Sequence, residues 1–327
     1  MKALVVGYGS IGKRHIENLS DLFKISVTVC TNRKPDYFLK KRKCDVIKNI
    51  QDCVFDNIDF AIIANESYLH VKTALFLANK KIPFILEKPL SYQMNNIKKL
   101  NNIIKKNHLV TLMACNLRFH PCLMKIKDLL NDKKIGKIIS VKVENGSYLP
   151  EWHPNENYRK SYASRKELGG GVVLTSIHEI DYLYWFFGNI KEVVSITGKF
   201  SNLDINSNDL SSSLLRFKNN VVSELHLDYF QQSPARSCKI IGTTGIIYCD
   251  IQSNAVKIFN MKTKRWKQEI CLLNYDISST YKDEIKHFLD CLEKNKKTIN
   301  PVIDGEKVLQ IALAILKSSK LKKMIKI

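Results

Sequence analysis

The first third of the chain alternates short, wholly apolar runs with longer segments whose apolar residues recur at helical spacing. KALVVG (2–7), KISVTVC (24–30), DFAIIAN (59–65), IPFILEK (82–88) and LVTLMAC (109–115) read as buried strands, rich in aliphatic and β-branched residues. Between them, IGKRHIENLSDL (11–22), SYLHVKTALFLANK (67–80) and YQMNNIKKLNNIIKK (92–106) read as amphipathic helices. Alternating units of this size predict a parallel sheet with helices on both faces. From about residue 141 the pattern becomes strand after strand: ISVKVENGSY (139–148), VVSITGKF (193–200), SSSLLRF (211–217), VVSELHLDYF (221–230), SCKIIGTTGIIYCD (237–250) and AVKIFNM (255–261). Such a run predicts an antiparallel or mixed sheet, and therefore a second domain. Helices over 280–294 and 305–319 close the chain. The expected class is α/β, divided into domains of residues 1–119 and 120–327.

Composition narrows the function classes. With 327 residues and 45% hydrophobic content the chain can bury two substantial cores. No window approaches the roughly 20 apolar residues of a membrane helix, and MKALVVG reaches glycine too early for a signal peptide, so a cytoplasmic protein away from membranes is expected. The nine cysteines are irregularly spaced and lack a CxxC pair, so they read as reduced core residues, with neither a disulfide framework nor a metal site. A net charge of +21 invites a nucleic-acid reading. Its distribution argues against one, because pairs such as Lys80-Lys81, Lys105-Lys106, Lys296-Lys297 and Lys322-Lys323 are scattered and mostly close helices, where cations favour the dipole. The basic surface would still attract an anionic cofactor or substrate.

Chemistry enters at MKALVVGYGSIGKRH, where Gly7, Gly9 and Gly12 form GxGxxG. Three glycines alone can be turn chemistry. Here they join a strand over 2–6 to a helix over 11–22, and the alternation continues beyond them. In that context the first-turn amides of Ser10, Ile11 and Gly12 would face the pyrophosphate of a dinucleotide. An NAD site usually carries an acid at the end of the second strand, for the ribose hydroxyls. This chain has Cys30, Thr31 and Asn32 there, followed by Arg33 and Lys34. Small polar groups and a cation suit a 2′-phosphate, so NADP is preferred over NAD; the alternative is that Arg33 and Lys34 are solvated loop charges.

Four more stretches, AIIANESYLH, LEKPLS, NLRFHP and GGGVVLTSIHEIDYLYWFFG, follow GYGSIGKRH in order. Together they make the chain resemble the Gfo/Idh/MocA family, the glucose-fructose oxidoreductase and inositol dehydrogenase group, over nearly its whole length. LPEWHPNENYRKSYASRKELGGG is similar to a branch found in bacterial surface-glycan and amino-sugar pathways. The resemblance implies an N-terminal Rossmann domain and a C-terminal α/β domain whose open, mainly antiparallel sheet often serves as an oligomer interface, hence a homodimer or homotetramer. It also implies hydride transfer between nicotinamide and a hydroxyl or keto carbon of a sugar, amino sugar or nucleotide sugar, with Lys88 of the EKP motif beside the nicotinamide. Residue chemistry agrees. IPFILEK carries Glu87, Lys88 and Pro89 to the strand's carboxyl end, where open α/β sheets bind ligands, and an amine kept neutral by burial can take or return a hydroxyl proton. A surface Lys-Pro turn is the alternative.

His178 is the second candidate, on GVVLTSIHEIDYLYWFF three residues from Asp181, which could orient the imidazole or bind a sugar hydroxyl. The preceding Gly169, Gly170 and Gly171 would let backbone approach a ligand closely. The family commonly has an aspartate three or four residues before this histidine, and here Thr175 and Leu174 stand there. Either Lys88 and His178 suffice, or Asp181 or Glu179 substitutes, or catalysis has been lost. In the family pattern Asn65 and His70 fall where a Thr-Pro-x-x-x-His loop meets the cofactor, with only His70 matching well. Arg118 could bind a substrate anion or hydroxyl, or form an interdomain salt bridge. Tyr158, Arg159 and Tyr162, near Trp152 and His153, form an aromatic and basic loop suited to sugar rings and phosphate, or to ordinary packing. The leading function is an NADP-dependent sugar oxidoreductase; the other is a catalytically inactive NADP-binding sensor or assembly protein.

Overall fold

The computed structural model describes residues 1–154 and 156–327. They fall into two compact units, residues 1–115 with 278–306, and residues 116–277 with 307–327.

The first unit contains β1 (Lys2–Val6), α1 (Ser10–Glu17), β2 (Ser26–Cys30), α2 (Tyr37–Lys41), β3 (Asp45–Ile47), β4 (Phe60–Ile63), α3 (His70–Asn79), β5 (Phe84–Glu87), α4 (Ile97–Lys106) and β6 (Thr111–Ala114). All six strands are parallel, in the order β3-β2-β1-β4-β5-β6. The order reverses between β1 and β4, which opens a crevice at the carboxyl ends of the strands. The five strands expected here form. β3 was not expected, because three residues are too short a run to read as a strand. Helix α1 buries Gly12, His15 and Ile16 on one stripe. The segment read as a helix from residue 92 turns helical only at Ile97, after Asn96 takes a left-handed φ of 62°.

The helix Ser279–Glu293 also belongs to this unit. Its Ile285, Phe288 and Cys291 join the core of Val29, Phe60 and Ile62, with the Phe288 and Phe60 ring centroids 5.5 Å apart. The boundary placed at 119 therefore falls at 115, and a segment assigned to the second domain returns to the first, because its apolar stripe completes the first sheet's covering.

The second unit contains α5 (Pro121–Asn131), β7 (Ile138–Gly146), α6 (Val172–Thr175), α7 (Ile177–Phe187) and seven further strands: β8 (Ile190–Gly198), β9 (Leu210–Phe217), β10 (Val222–Asp228), β11 (Ala235–Gly242), β12 (Gly245–Asp250), β13 (Ala255–Asn260) and β14 (Arg265–Cys271). After α8 (Ser279–Glu293), already placed in the first unit, come α9 (Val302–Leu321), whose first five residues count with the first unit, and β15 (Ile325–Lys326). The sheet has nine strands in the order β14-β13-β12-β11-β7-β10-β9-β8-β15, antiparallel except for β7 against β10. It is the open, mainly antiparallel sheet that was expected. Helix α5 and strand β14 are additions: α5 starts on Pro121 under a His120 cap, and β14 is an exposed edge strand without alternation. The helix read across residues 171–187 is two helices, because Ser176 at ψ 37° interrupts it.

One face of this sheet packs against α5 and α6, and Glu179 of α7 accepts a hydrogen bond from Arg236 of β11. The other exposes Val194, Ile196, Leu214 and Val222. All nine cysteines are free thiols, six of them buried. Among the described residues no helix is long and apolar enough to cross a membrane.

Candidate functional site

The three glycines of the opening loop have three different surroundings. Gly7 sits at φ 109°, and a β-carbon there would lie 2.4 Å from the carbonyl oxygen of Ala64, the residue after β4. A β-carbon on Gly12 would lie 2.3 Å from the Gly7 carbonyl oxygen, so only glycine lets α1 pack directly on β1. Beside Gly9 there is open space, with nothing within 4 Å. Gly9 is also the N-cap of α1, and no side chain caps that helix. The amides of Ser10, Ile11 and Gly12 therefore lack intrahelical partners and present the positive end of the helix at its open side. The pyrophosphate of a dinucleotide fits this cradle, because the loop is packed where no ligand is needed and empty over the uncapped amides.

The neighbouring groups fix the loop. The Tyr8 hydroxyl donates to Asp36 at 2.6 Å, and the Lys13 ammonium lies 3.4 Å from the other Asp36 oxygen. Asp36 also caps α2 through the Leu39 amide. The Tyr8 bond, before other causes, holds the Asp36 carboxyl below its usual range, while burial pushes the Tyr8 phenol up. At the end of β2, the Thr31 hydroxyl accepts from the Arg33 amide at 3.2 Å, and Asn32, Arg33 and Lys34 are exposed. No acid stands at residues 30–34; Asp36 follows them with both oxygens engaged.

At the end of β5 the sequence reading meets a partner it missed. Glu87 lies 2.7 Å from His15 Nε2, both buried, and its other oxygen accepts from the Lys88 amide at 3.3 Å. His15 sits three residues after Gly12 on the buried stripe of α1, the signal that could have paired it with an acid. His70 is 1% exposed, with its ring nitrogens 2.8 Å from the Pro89 carbonyl oxygen and 3.0 Å from that of Asn65. Burial lowers its pKa against the pull of those carbonyls, so the ring is held neutral and donates to one at a time. His70 thus ties the loop after β4 to the loop after β5. The Asn65 side chain donates to Thr73 at 3.0 Å. The Lys88-Pro89 peptide is cis. From residue 84 to 91 every residue is buried except Lys88.

In the second unit, residues 169 to 183 are likewise buried except for His178. The acids flanking it are committed elsewhere. Asp181 accepts two hydrogen bonds from Arg118, each 2.8 Å long, and Glu179 accepts from Arg236 at 2.7 Å. Arg118 and Asp181 are 1% and 2% exposed, so they neutralise each other within this unit instead of meeting a substrate or spanning domains. Thr175 is buried beside the Tyr229 hydroxyl, and the Trp152 ring stands edge-on to Tyr229 at 5.3 Å. Tyr158 and Arg159 are tied to Asp204, the first through its hydroxyl accepting the Asp204 amide at 3.3 Å, the second through an exposed ion pair of 2.7 Å. Tyr162 keeps 38% of its surface exposed. The space beside Gly170 is filled by the Tyr162 carbonyl and that beside Gly171 by Asn208, so these glycines serve the chain's own packing.

Residues 1–115 match the description "Oxidoreductase family, NAD-binding Rossmann fold", and residues 123–248 match "GFO/IDH/MocA C-terminal domain". The chain belongs to the Gfo/Idh/MocA family. Among its relatives is the myo-inositol 2-dehydrogenase of Thermotoga maritima, 22% identical over all of this chain and 98% of the relative. The levoglucosan dehydrogenase of Pseudarthrobacter phenanthrenivorans is 27% identical over 44% of this chain and 37% of its own. Among solved structures, a levoglucosan dehydrogenase in complex with NADH and levoglucosan superposes with a TM-score of 0.89 at 17% identity, covering 100% of this chain and 99% of that one. An oxidoreductase from Agrobacterium radiobacter in complex with NAD+, L-tartaric acid and magnesium gives 0.86 at 17% identity, covering 100% and 98%. At these identities the structures establish the fold.

Membership makes the chain an NAD-binding Rossmann oxidoreductase and sharpens one departure. Where a Gfo/Idh/MocA aspartate would precede the histidine, Thr175 is buried against Tyr229, and the two acids proposed to replace it are held by arginines.

Proposed function

We propose that this protein is an NADP-preferring dehydrogenase or reductase acting on a sugar, amino sugar or nucleotide sugar, with Lys88 and His178 in the proton-transfer chemistry. The observation that carries the reading is that each is the one accessible residue in a buried run. The dinucleotide, when bound, supplies the hydride acceptor or donor. Gly9, Ser10, Ile11 and Gly12 hold its pyrophosphate, while Thr31, Asn32 and Arg33 hold the ribose phosphate. Lys88 takes the hydroxyl proton in oxidation and returns it in reduction. Glu87, fixed by His15, and His70, fixed by two carbonyls, set the direction of the Lys88 loop without touching substrate. Tyr162, Tyr158 and Arg159 supply an aromatic and cationic rim for a sugar or its phosphate. Nine free thiols fit a reducing compartment, so the cytoplasm is proposed. The apolar row on the open sheet, with Val194 paired directly to Leu214 and Ile196 beside them, supports a homodimer or homotetramer through that face.

The test is absorbance of reduced nicotinamide with NADP(H) or NAD(H) against a panel of polyols, sugars, sugar phosphates and nucleotide sugars. Lys88→Ala should abolish turnover and keep dinucleotide affinity within about threefold; an unchanged rate removes Lys88 from the mechanism. A second reading, a dinucleotide-binding sensor without turnover, is favoured by the engagement of both Asp181 and Glu179 with arginines. Tight dinucleotide binding with no turnover across the panel decides for it.

A further inference from the structure

We propose that the first unit carries a second small-molecule site, remote from the glycine loop, that binds an anion with an apolar body and one hydrogen-bond donor. A cavity of about 560 Å³ opens at the amino end of β6, where Thr111 lines it, whereas the glycine loop lies at the carboxyl ends of the strands. That volume lies within the range of small-molecule pockets.

Three features define the ligand. The walls are apolar, made by Ile104, Leu109, Val110, Pro301 and Ile303. The mouth carries Lys105, His108, Lys296 and Lys297, and no acid lines the cavity. Among the described residues none of these three lysines has an ion-pair partner. Lysines near helix ends commonly serve the terminal carbonyls. Here those carbonyls are already engaged by backbone: Ile103, Ile104 and Lys105 accept from Asn107, Leu109 and His108, and Asp290, Cys291 and Leu292 accept from Lys294, Lys296 and Asn295. The ammonium groups are thus left for a bound anion. The third feature is Asn101, lining the cavity at 5% exposure. Its nitrogen donates to Glu306, and its oxygen has no partner. Buried acceptors in native folds are nearly always satisfied, and a ligand N–H or O–H would satisfy this one.

The probe is 8-anilinonaphthalene-1-sulfonate, which joins a sulfonate, an apolar ring system and one N–H, followed by fluorescence on the full-length protein. Saturable binding at one site per chain is expected, undisturbed by saturating NAD+ or NADP+. Phenyl phosphate should compete at least tenfold better than inorganic phosphate or phenol. Lys296→Glu with Lys297→Glu, both on exposed side chains, should weaken the probe at least tenfold, and Ile303→Trp should exclude it. If Ile303→Trp fails to fold, the lysine variant alone decides. Displacement by dinucleotide, non-saturable binding, or indifference to the lysine reversal overturns the site; equal competition by inorganic phosphate overturns the ligand class.

Discussion

Arg118 and Asp181 face each other through two parallel hydrogen bonds, Nε to one carboxylate oxygen and Nη2 to the other, both 2.8 Å long and both shielded from water. Removing one member of such a pair strands a buried charge, which costs about 3–5 kcal/mol. Asp181→Leu should therefore lower stability by that amount in equilibrium urea unfolding, while Arg118→Met with Asp181→Leu recovers most of it. A variant of native stability with a sharply raised KM for substrate would return Asp181 to the binding site.

Substitutions in the glycine loop should separate folding from binding. Gly12→Ala drives a β-carbon against the Gly7 carbonyl and should lower the melting temperature by several degrees. Gly9→Ala meets open space and should leave the melting temperature unchanged. It should still weaken dinucleotide binding at least tenfold by calorimetry, because the methyl group occupies the approach to the uncapped amides.

The proposed preference for NADP rests on Arg33. A charged hydrogen bond to a phosphate contributes about 1.5–3 kcal/mol. Arg33→Ala should accordingly raise the KM for NADP by roughly 10- to 100-fold and leave that for NAD within about twofold. Equal effects on the two cofactors would show that Arg33 does not read the 2′ position.

His70 gives a pH signature. Its folded pKa lies below an unfolded value of about 6.5, so on acidification the unfolded chain binds a proton that the folded protein resists. Its contribution is complete above the unfolded value and is lost as pH falls through that value toward the folded one. His287 moves the same way through burial, and His226 the opposite way through Asp228. Against that background, His70→Gln should flatten the loss of urea stability between about pH 7 and pH 5. An identical slope would mean that the ring is not held neutral in the fold.

Periodicity located most of the architecture because the buried parallel strands are unbroken apolar runs. It failed where burial left no pattern: β3 is three residues long, and β14 is an edge strand with mostly exposed side chains. The break at Ser176 was hidden because 169–177 is buried on every side, so no stripe changes phase there. Within the candidate site, the glycines were visible from motif order, and so were Lys88 and His178 as candidates. The partners of Arg118, Asp181, Glu87 and Glu179 were not, because pairs such as Arg118 with Asp181 or His15 with Glu87 join residues far apart in the chain. Spacing shows what a side chain can do, and only the fold shows which neighbour already occupies it.

The return of helix α8 to the first sheet has a consequence for biosynthesis. The nucleotide-binding half cannot finish folding as it leaves the ribosome, since Phe288 emerges long after the strand that carries Phe60, with eight of the second sheet's nine strands translated in between. A gene cut after codon 119 should accordingly yield an aggregating fragment, whereas grafting codons 278–306 onto it through a flexible tether should restore a soluble one.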